Sequence, residues 1–132
     1  MIGLDTNILV RFLTLDDPHQ SEMVKKSFLR YQKEKELLYV SNVVILELLY
    51  VLESVYNYER EDIVNAIQSL LKIHIIKFEN DNVLSEFIMI SKKVQIELAD
   101  LFVGLISKHA GCKTTITFDK KTLKSDYFTL LK

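Results

Sequence analysis

The sequence has little cysteine, glycine or proline and no tryptophan. Its 132 residues include 1 Cys, 3 Gly and 1 Pro. The single Cys112 excludes an internal disulfide, and so little glycine and proline excludes collagen-like or low-complexity chains. No apolar run approaches the ~18 residues of a membrane span, and no basic start precedes an apolar signal stretch. We therefore expect a cytoplasmic protein that does not contact a membrane.

Net charge is also nearly absent, at -1. That balance neither favours nor excludes a polyanionic partner, because acids clustered in a site can mask basic patches elsewhere. Hydrophobic residues are abundant and make up 48% of the sequence, and 27% of the residues are charged. This composition and length predict a single domain over residues 1–132, large enough to bury its own core.

Hydrophobic periodicity alternates between strand and helix along the chain. The pattern predicts strands at 1–4, 37–40, 73–78 and 114–118, and a last edge strand at 127–131. Helices are predicted at 6–13, 18–33, 41–52, 59–71, 83–92 and 100–110. Such alternation indicates an α/β fold of three layers, in which a parallel sheet carries helices on both faces.

Two aspartates, Asp5 and Asp119, each follow a predicted buried strand. Ligands of open parallel sheets bind beyond the carboxyl ends of the strands, so both are candidates for a functional site. Each also has a structural interpretation: Asp5 as the cap of the next helix, and Asp119 as a simple turn residue.

Two further carboxylates lie within predicted helices. Glu47 has four apolar residues before it and five after it, which predicts a buried carboxylate that needs a cation or a set of donors. A salt bridge to lysine or a position at a surface edge would also account for it. Asp100 lies in a first helical turn, where its charge offsets the helix dipole by ~0.3 to 1 kcal/mol. Gly104, one turn later, predicts open space beside that carboxylate.

If these four acids converge, their mutual repulsion requires a multivalent cation. Oxygen ligands without histidine or cysteine favour Mg²⁺ or Mn²⁺. The histidines, His19, His74 and His109, are scattered and have no zinc-site spacing. No glycine-rich phosphate loop or nucleophile elbow is present.

With these residues in view, the sequence resembles PIN-domain ribonucleases, and among them the VapC toxins of bacterial and archaeal toxin–antitoxin pairs. The matching segments are LDTNILVRFL, SNVVILELLYVL and LADLFVGLISKHAGCKTTITFD, in the same order and spacing along the whole chain. The resemblance implies a parallel sheet with the first strand central. It places the family's acidic quartet, as catalytic and metal-binding residues, on Asp5, Glu47, Asp100 and Asp119, with Thr6, Asn7 and Thr117 as supporting polar residues. The sequence departs from many relatives at residues 101–104, where they have smaller or aliphatic residues.

The implied activity is metal-dependent endonucleolytic cleavage of RNA. We expect a water activated on Mg²⁺ or Mn²⁺ to attack the phosphodiester in line and leave a 5′ phosphate and a 3′ hydroxyl. Basic residues near the acids are candidates for binding the RNA backbone: Arg11, Lys120, Lys121 and Lys124. For each of the lysines, a solvated surface position is the alternative interpretation.

Two other functional classes fit the sequence less well. A receiver-like Mg²⁺-binding signalling domain needs an acidic pair after its first strand, whereas Asp5 is followed by Thr6 and Asn7. A catalytically silent binding module with the PIN fold would not need all four acids. The intact quartet therefore favours the enzyme.

The predicted helix at 43–52 is apolar on every side, which predicts that it is buried all round or covered by a partner. By resemblance we expect a homodimer and a small antitoxin protein, with the antitoxin in a groove beside the hairpin of this helix and the next. Exposed apolar side chains are expected among Leu48, Leu49, Tyr50, Leu52, Val55 and Tyr56.

Overall fold

A computed structural model describes all residues from Met1 to Lys132, which form two compact units, Met1–Asn80 and Asp81–Lys132. The first unit contains β1 (Ile2–Gly3), α1 (Thr6–Leu13), α2 (Pro18–Glu34), β2 (Leu38–Val40), α3 (Asn42–Ser54), α4 (Arg60–Leu71) and β3 (Ile76–Phe78). The second contains α5 (Asp81–Ser91), α6 (Leu98–His109), β4 (Thr115–Thr117), a 3₁₀ turn (Lys120–Lys124) and β5 (Phe128–Leu130). The predicted succession of strands and helices and the α/β fold class are confirmed. None of the helices is long and apolar enough to span a membrane.

All strand pairs are parallel. In the first unit the strand order is β1-β2-β3, so within this unit β1 is an edge strand and not the central strand that the resemblance implied, and in the second unit β4 pairs with β5. The strands are two or three residues long, so each offers few backbone groups for pairing. Sequence periodicity does not specify which strands pair.

Polar side chains begin three helices of the first unit. Asp5 caps α1, Asp17 caps α2 with Pro18 directly after it, and Ser41 caps α3 by accepting the Val44 N–H. These caps satisfy backbone donors that have no partner within the helix. They also fix where β1 and β2 end and where the following helices begin.

Helix α3 is two-faced. Of the two predicted alternatives, burial all round is wrong, and exposed apolar side chains are confirmed for Tyr50 and Val55. Ile45, Leu48, Leu49 and Leu52 are buried, whereas Val43, Tyr50 and Val55 are 76%, 68% and 63% exposed. The buried face of this helix carries only aliphatic residues, and its exposed face is also rich in apolar ones. Because both faces are rich in apolar residues, the composition of the helix did not reveal which face is buried.

The second unit is held by contacts between α5 and α6. The rings of Phe87 and Phe102 meet edge to face with centroids 5.8 Å apart. At the end of α6, the Glu86 carboxylate accepts from Lys108 Nζ at 2.6 Å and lies 2.6 Å from His109 Nε2. The hydrogen bond from Lys108, and then that from His109, lowers the pKa of Glu86. His109 therefore contacts a carboxylate of the neighbouring helix α5.

Gly104 on α6 does not leave open space, in contrast to the prediction. A Cβ atom at this position would lie 2.8 Å from a ring carbon of Phe128 and 3.0 Å from Cβ of Tyr127. The glycine is needed because β5 approaches the helix backbone closely at this point.

Gly104→Ala should therefore destabilise the protein. Overpacking lowers the free energy of unfolding by about 1 to 3 kcal/mol, whereas the higher helix propensity of alanine raises it by about 1 kcal/mol. Overpacking dominates because Cβ of Tyr127 is fixed to the strand backbone, so we expect a net loss of about 1 kcal/mol in urea unfolding. Val103→Ala, at an exposed neighbouring position, is the control. Equal or greater stability of Gly104→Ala would show that β5 moves aside easily.

Candidate active site

Asp5 lies in the first unit where β1 gives way to α1. Its side chain is exposed, and Oδ1 accepts the Thr6 N–H at 2.8 Å. The Thr6 side chain is buried, and its hydroxyl oxygen has no hydrogen-bond partner. Asn7, the next residue, is exposed. Asp5 is thus a helix cap, and its capping bond also fixes the orientation of a carboxylate that remains open to solvent.

Glu47 is exposed on α3, so the prediction that its carboxylate is buried is wrong. It lies on the same helical face as Val43 and Tyr50, which are also exposed. Because Glu47 faces solvent, it needs no buried cation to offset a desolvation cost. Its carboxylate is accessible to a ligand from solution.

Asp100 and Asp119 lie in the second unit and interact electrostatically. Burial raises the pKa of Asp100, and the negative charges of Glu97 and Asp119 raise it further. Asp100 is in the first turn of α6, and Glu97 is the residue just before that helix. Glu97 was missed at the sequence level, although its spacing of three residues from Asp100 on a helix could have revealed it.

Asp119 follows β4 and is held in place by hydrogen bonds on both sides. Its backbone N–H donates to Thr117 Oγ1 at 3.0 Å, and its carboxylate accepts the Lys121 N–H at 2.9 Å. Thr122 Oγ1 donates to the Asp119 carbonyl at 2.7 Å. The Asp119 carboxylate therefore caps the 3₁₀ turn that carries Lys120, Lys121 and Lys124, all of which are exposed.

Arg11, a predicted RNA contact, is part of a hydrogen-bonded network in the first unit. Its guanidinium donates to Gln20 Oε1 at 2.6 Å, Tyr56 Oη at 3.1 Å and Asp16 Oδ1 at 3.2 Å. Tyr56 in turn donates to Asp16 at 2.7 Å, and hydrogen bonds from Tyr56 and then Thr14 lower the pKa of Asp16. Arg11 therefore connects α1 to the start of α2 and to the segment after α3.

A groove lies beside Arg11, between β1, α1 and α2, with a volume of about 580 Å³. We call it the α1–α2 groove. Its apolar lining includes Leu4, Ile8, Met23, Val24, Phe28 and Tyr31. Asn7, two residues after Asp5, is also part of the lining. Sequence periodicity gave no sign of this groove.

The donor chemistry of the acids fits a hard divalent cation. Within each unit, no three Asp, Glu, His or Cys side chains are grouped so that they could hold a metal ion. The second unit nevertheless places Asp100 under the influence of two other negative charges, Glu97 and Asp119. A divalent cation would relieve that repulsion, and carboxylate oxygens without nitrogen or sulfur partners select Mg²⁺ or Mn²⁺.

Comparison with known proteins identifies the family. A sequence model of the PIN domain matches residues 2–125. The chain belongs to the PIN domain family. It is also 29% identical over 127 residues to the VapC ribonuclease of Aquifex aeolicus (strain VF5), in an alignment that covers 96% of this chain and 93% of that protein. The resemblance predicted from the three sequence segments is thereby confirmed.

The match to the PIN domain runs from β1 through the 3₁₀ turn after Asp119. It therefore includes all four acids assigned from the sequence, as well as Thr6, Asn7 and Thr117.

Proposed function

We propose that this PIN-domain protein is a metal-dependent endoribonuclease and the toxin of a toxin–antitoxin pair. The observation that supports it most directly is the electrostatic interaction of Asp100 with Asp119, two carboxylates at positions assigned by the family resemblance. The similarity to a VapC ribonuclease supports RNA as the substrate. We also propose that residues 1–132 form a single PIN domain and act in the cytoplasm.

The proposal assigns metal binding to Asp5, Glu47, Asp100 and Asp119. When bound, Mg²⁺ or Mn²⁺ would supply an activated water and neutralise charge at the scissile phosphate. The chain's own contribution is to fix the carboxylates beforehand. The bond from Thr6 orients Asp5, and Thr117 and Lys121 orient Asp119. Asn7 and the unpartnered hydroxyl of Thr6 are further polar groups beside Asp5.

RNA binding is assigned to the exposed lysines of the 3₁₀ turn, Lys120, Lys121 and Lys124. Ammonium groups neutralise phosphates and release counterions, so binding should weaken as the salt concentration rises. Arg11 remains a further candidate, although its guanidinium is already engaged by Asp16 and Tyr56. Most of its hydrogen-bonding capacity is used within the protein.

The test of this function is cleavage of a defined RNA by the purified chain, with the product ends identified chemically. We expect internal cleavage that leaves a 5′ phosphate and a 3′ hydroxyl, because water and not the ribose 2′ hydroxyl is the nucleophile. Asp5→Asn, purified in parallel, controls for contaminating ribonucleases. Products with a 2′,3′-cyclic phosphate, or equal cleavage by Asp5→Asn, would contradict the proposal.

The α1–α2 groove is the better candidate for the antitoxin than the α3–α4 hairpin. Leu49 and Leu52 on α3 are 2% and 0% exposed, so they cannot form a docking surface. The groove is apolar, and its lining includes Asn7 near Asp5. An apolar antitoxin segment seated there could extend a basic side chain toward Asp5, where a carboxylate would attract it.

Met23→Glu should weaken antitoxin binding by about tenfold or more, because it places a charge in the apolar groove. A loss of this size is typical when a residue at the centre of an interface is changed. The measurement is co-purification with a small protein encoded in the neighbouring reading frame, followed by titration. Leu29→Glu, on α2 but outside the groove lining, is the matched control. Unchanged affinity of Met23→Glu would place the antitoxin elsewhere.

We further propose a homodimer, by resemblance to the family. Light scattering at tens of micromolar protein is the measurement. A monomer under those conditions would contradict the proposal.

A further inference from the structure

Phe118 is the most exposed of the large hydrophobic side chains, at 79%. It lies between the last residue of β4 and Asp119. Ile116, two residues earlier on the same face of the strand, is 62% exposed. A strand with one solvated face usually directs polar residues outward, whereas here the less exposed positions are Thr115 and Thr117. Packing within the protein does not account for this reversed pattern.

The backbone around Phe118 is fixed by hydrogen bonds. The carbonyl of Thr117 accepts the Leu131 N–H at 2.9 Å, and Thr117 Oγ1 accepts the Asp119 N–H at 3.0 Å. The Asp119 carboxylate then caps the 3₁₀ turn. A ligand that contacts the Phe118 ring therefore meets a preorganised backbone, which reduces the entropy lost on binding.

The charges near Phe118 indicate what kind of ligand fits. Lys120, Lys121 and Lys124 follow within six residues and are exposed, and Asp119 is adjacent in sequence. An exposed aromatic ring beside several ammonium groups is the combination that binds single-stranded nucleic acid. Bases stack on the ring, and the ammonium groups neutralise the backbone phosphates.

Resting on the proposed function, we propose that Phe118 is a stacking platform for an unpaired nucleobase of the RNA substrate. A base next to the scissile phosphate would stack on the ring while the cleaved linkage lies at Asp119. The Cα atoms of Phe118 and Asp119 are about 3.8 Å apart because the two residues are consecutive. A nucleotide that is base-paired in a duplex could not reach the ring. The inference therefore narrows the substrate to single-stranded RNA or unpaired loops.

The test is the affinity of a fluorescent single-stranded RNA for variants in an Asp5→Asn background, where cleavage does not interfere. Phe118→Ala and Phe118→Leu should both weaken binding, roughly 5- to 150-fold for the loss of one stacked base. Phe118→Tyr should restore it to within about twofold, because tyrosine also stacks. Ile116→Ala, a neighbouring exposed apolar residue, should bind as the parent does.

Two further measurements separate stacking from a general apolar contact. With Asp5 intact, Phe118→Leu should raise KM while leaving kcat nearly unchanged. RNA carrying 5-iodouridine should form a photo-crosslink that mass spectrometry maps to Phe118. These variants should fold normally because the ring is exposed, and circular dichroism checks that.

Unchanged RNA affinity in Phe118→Leu would overturn the inference. So would an equal loss in Ile116→Ala, which would indicate an apolar surface for a protein partner. Both results are distinct from failure of the proposed function. If the proposed function itself were wrong, the protein with Phe118 intact would neither cleave nor bind any RNA tested.

Discussion

Asp100→Asn should reduce RNA cleavage by at least about a thousandfold, which corresponds to about 4 kcal/mol of transition-state stabilisation. Asparagine has nearly the same shape as aspartate but lacks the charge that would attract a divalent cation. Single-turnover cleavage at saturating Mg²⁺ is the measurement. Asp126→Asn, which changes an exposed acid in the same unit, is the control and should cleave normally.

The same substitution should raise stability when no metal is present. Burial and the charges of Glu97 and Asp119 raise the pKa of Asp100, so its ionised form is less favourable in the folded protein than in the unfolded chain. That penalty is present at neutral pH and disappears as the pH falls through the raised pKa. In chelator, Asp100→Asn should therefore resist urea better than the parent protein at pH 7, and the difference should shrink toward pH 4.

Loss of cleavage together with gained stability would distinguish an active-site residue from a residue needed for folding. A variant that lost both would instead place Asp100 in a structural role. Full cleavage by Asp100→Asn would remove it from the site. We expect the same loss of cleavage in the other acid variants, Asp5→Asn, Glu47→Gln and Asp119→Asn.

Asparagine is preferred to alanine at Asp5 because of its local structural role. The Asp5 carboxylate caps α1, and an alanine at such a position costs about 1 kcal/mol, whereas asparagine caps as well as aspartate. The variant therefore removes charge and keeps the cap. The functional and capping interpretations of Asp5 are compatible, since the capping bond uses only one of its two carboxylate oxygens.

The sequence was sufficient to predict the order of helices and strands because each depends on local signals. Gly111 illustrates this, since it directly follows the helix predicted at 100–110 and has φ of +98°, the left-handed conformation in which many helices end. Contacts between distant residues were not predictable in that way. Arg11 and Tyr56 are 45 residues apart, and nothing in either segment indicated their hydrogen bond.

Burial was the least predictable property, for a physical reason. Hydrophobic composition records which residues favour burial, whereas burial itself depends on which faces the fold covers. Glu47 was therefore predicted to be buried from its apolar neighbours, but it lies on the exposed face of α3. The prediction for Gly104 was wrong in the opposite direction. Open space was expected beside this residue, but the approach of β5 fills that space.

Removal of divalent metal should abolish cleavage entirely. All four assigned residues are carboxylates, so without a cation none of them could neutralise the negative charge at the scissile phosphate. Dialysis against EDTA should eliminate activity, and Mg²⁺ or Mn²⁺ should restore it. Ca²⁺ should bind but support cleavage poorly, because its longer and more variable coordination positions the reactants less strictly.

Stability gives a second measure of metal binding that does not depend on activity. At tenfold above its Kd, Mg²⁺ should raise the free energy of unfolding by about 1.4 kcal/mol, and it should have little effect on Asp100→Asn. Elemental analysis must confirm that the dialysed protein is free of metal, and a metal-independent ribonuclease in the same EDTA buffer controls for the assay. Undiminished cleavage by metal-free protein would refute the proposed mechanism, because the carboxylates would then act without the cation that their mutual repulsion favours.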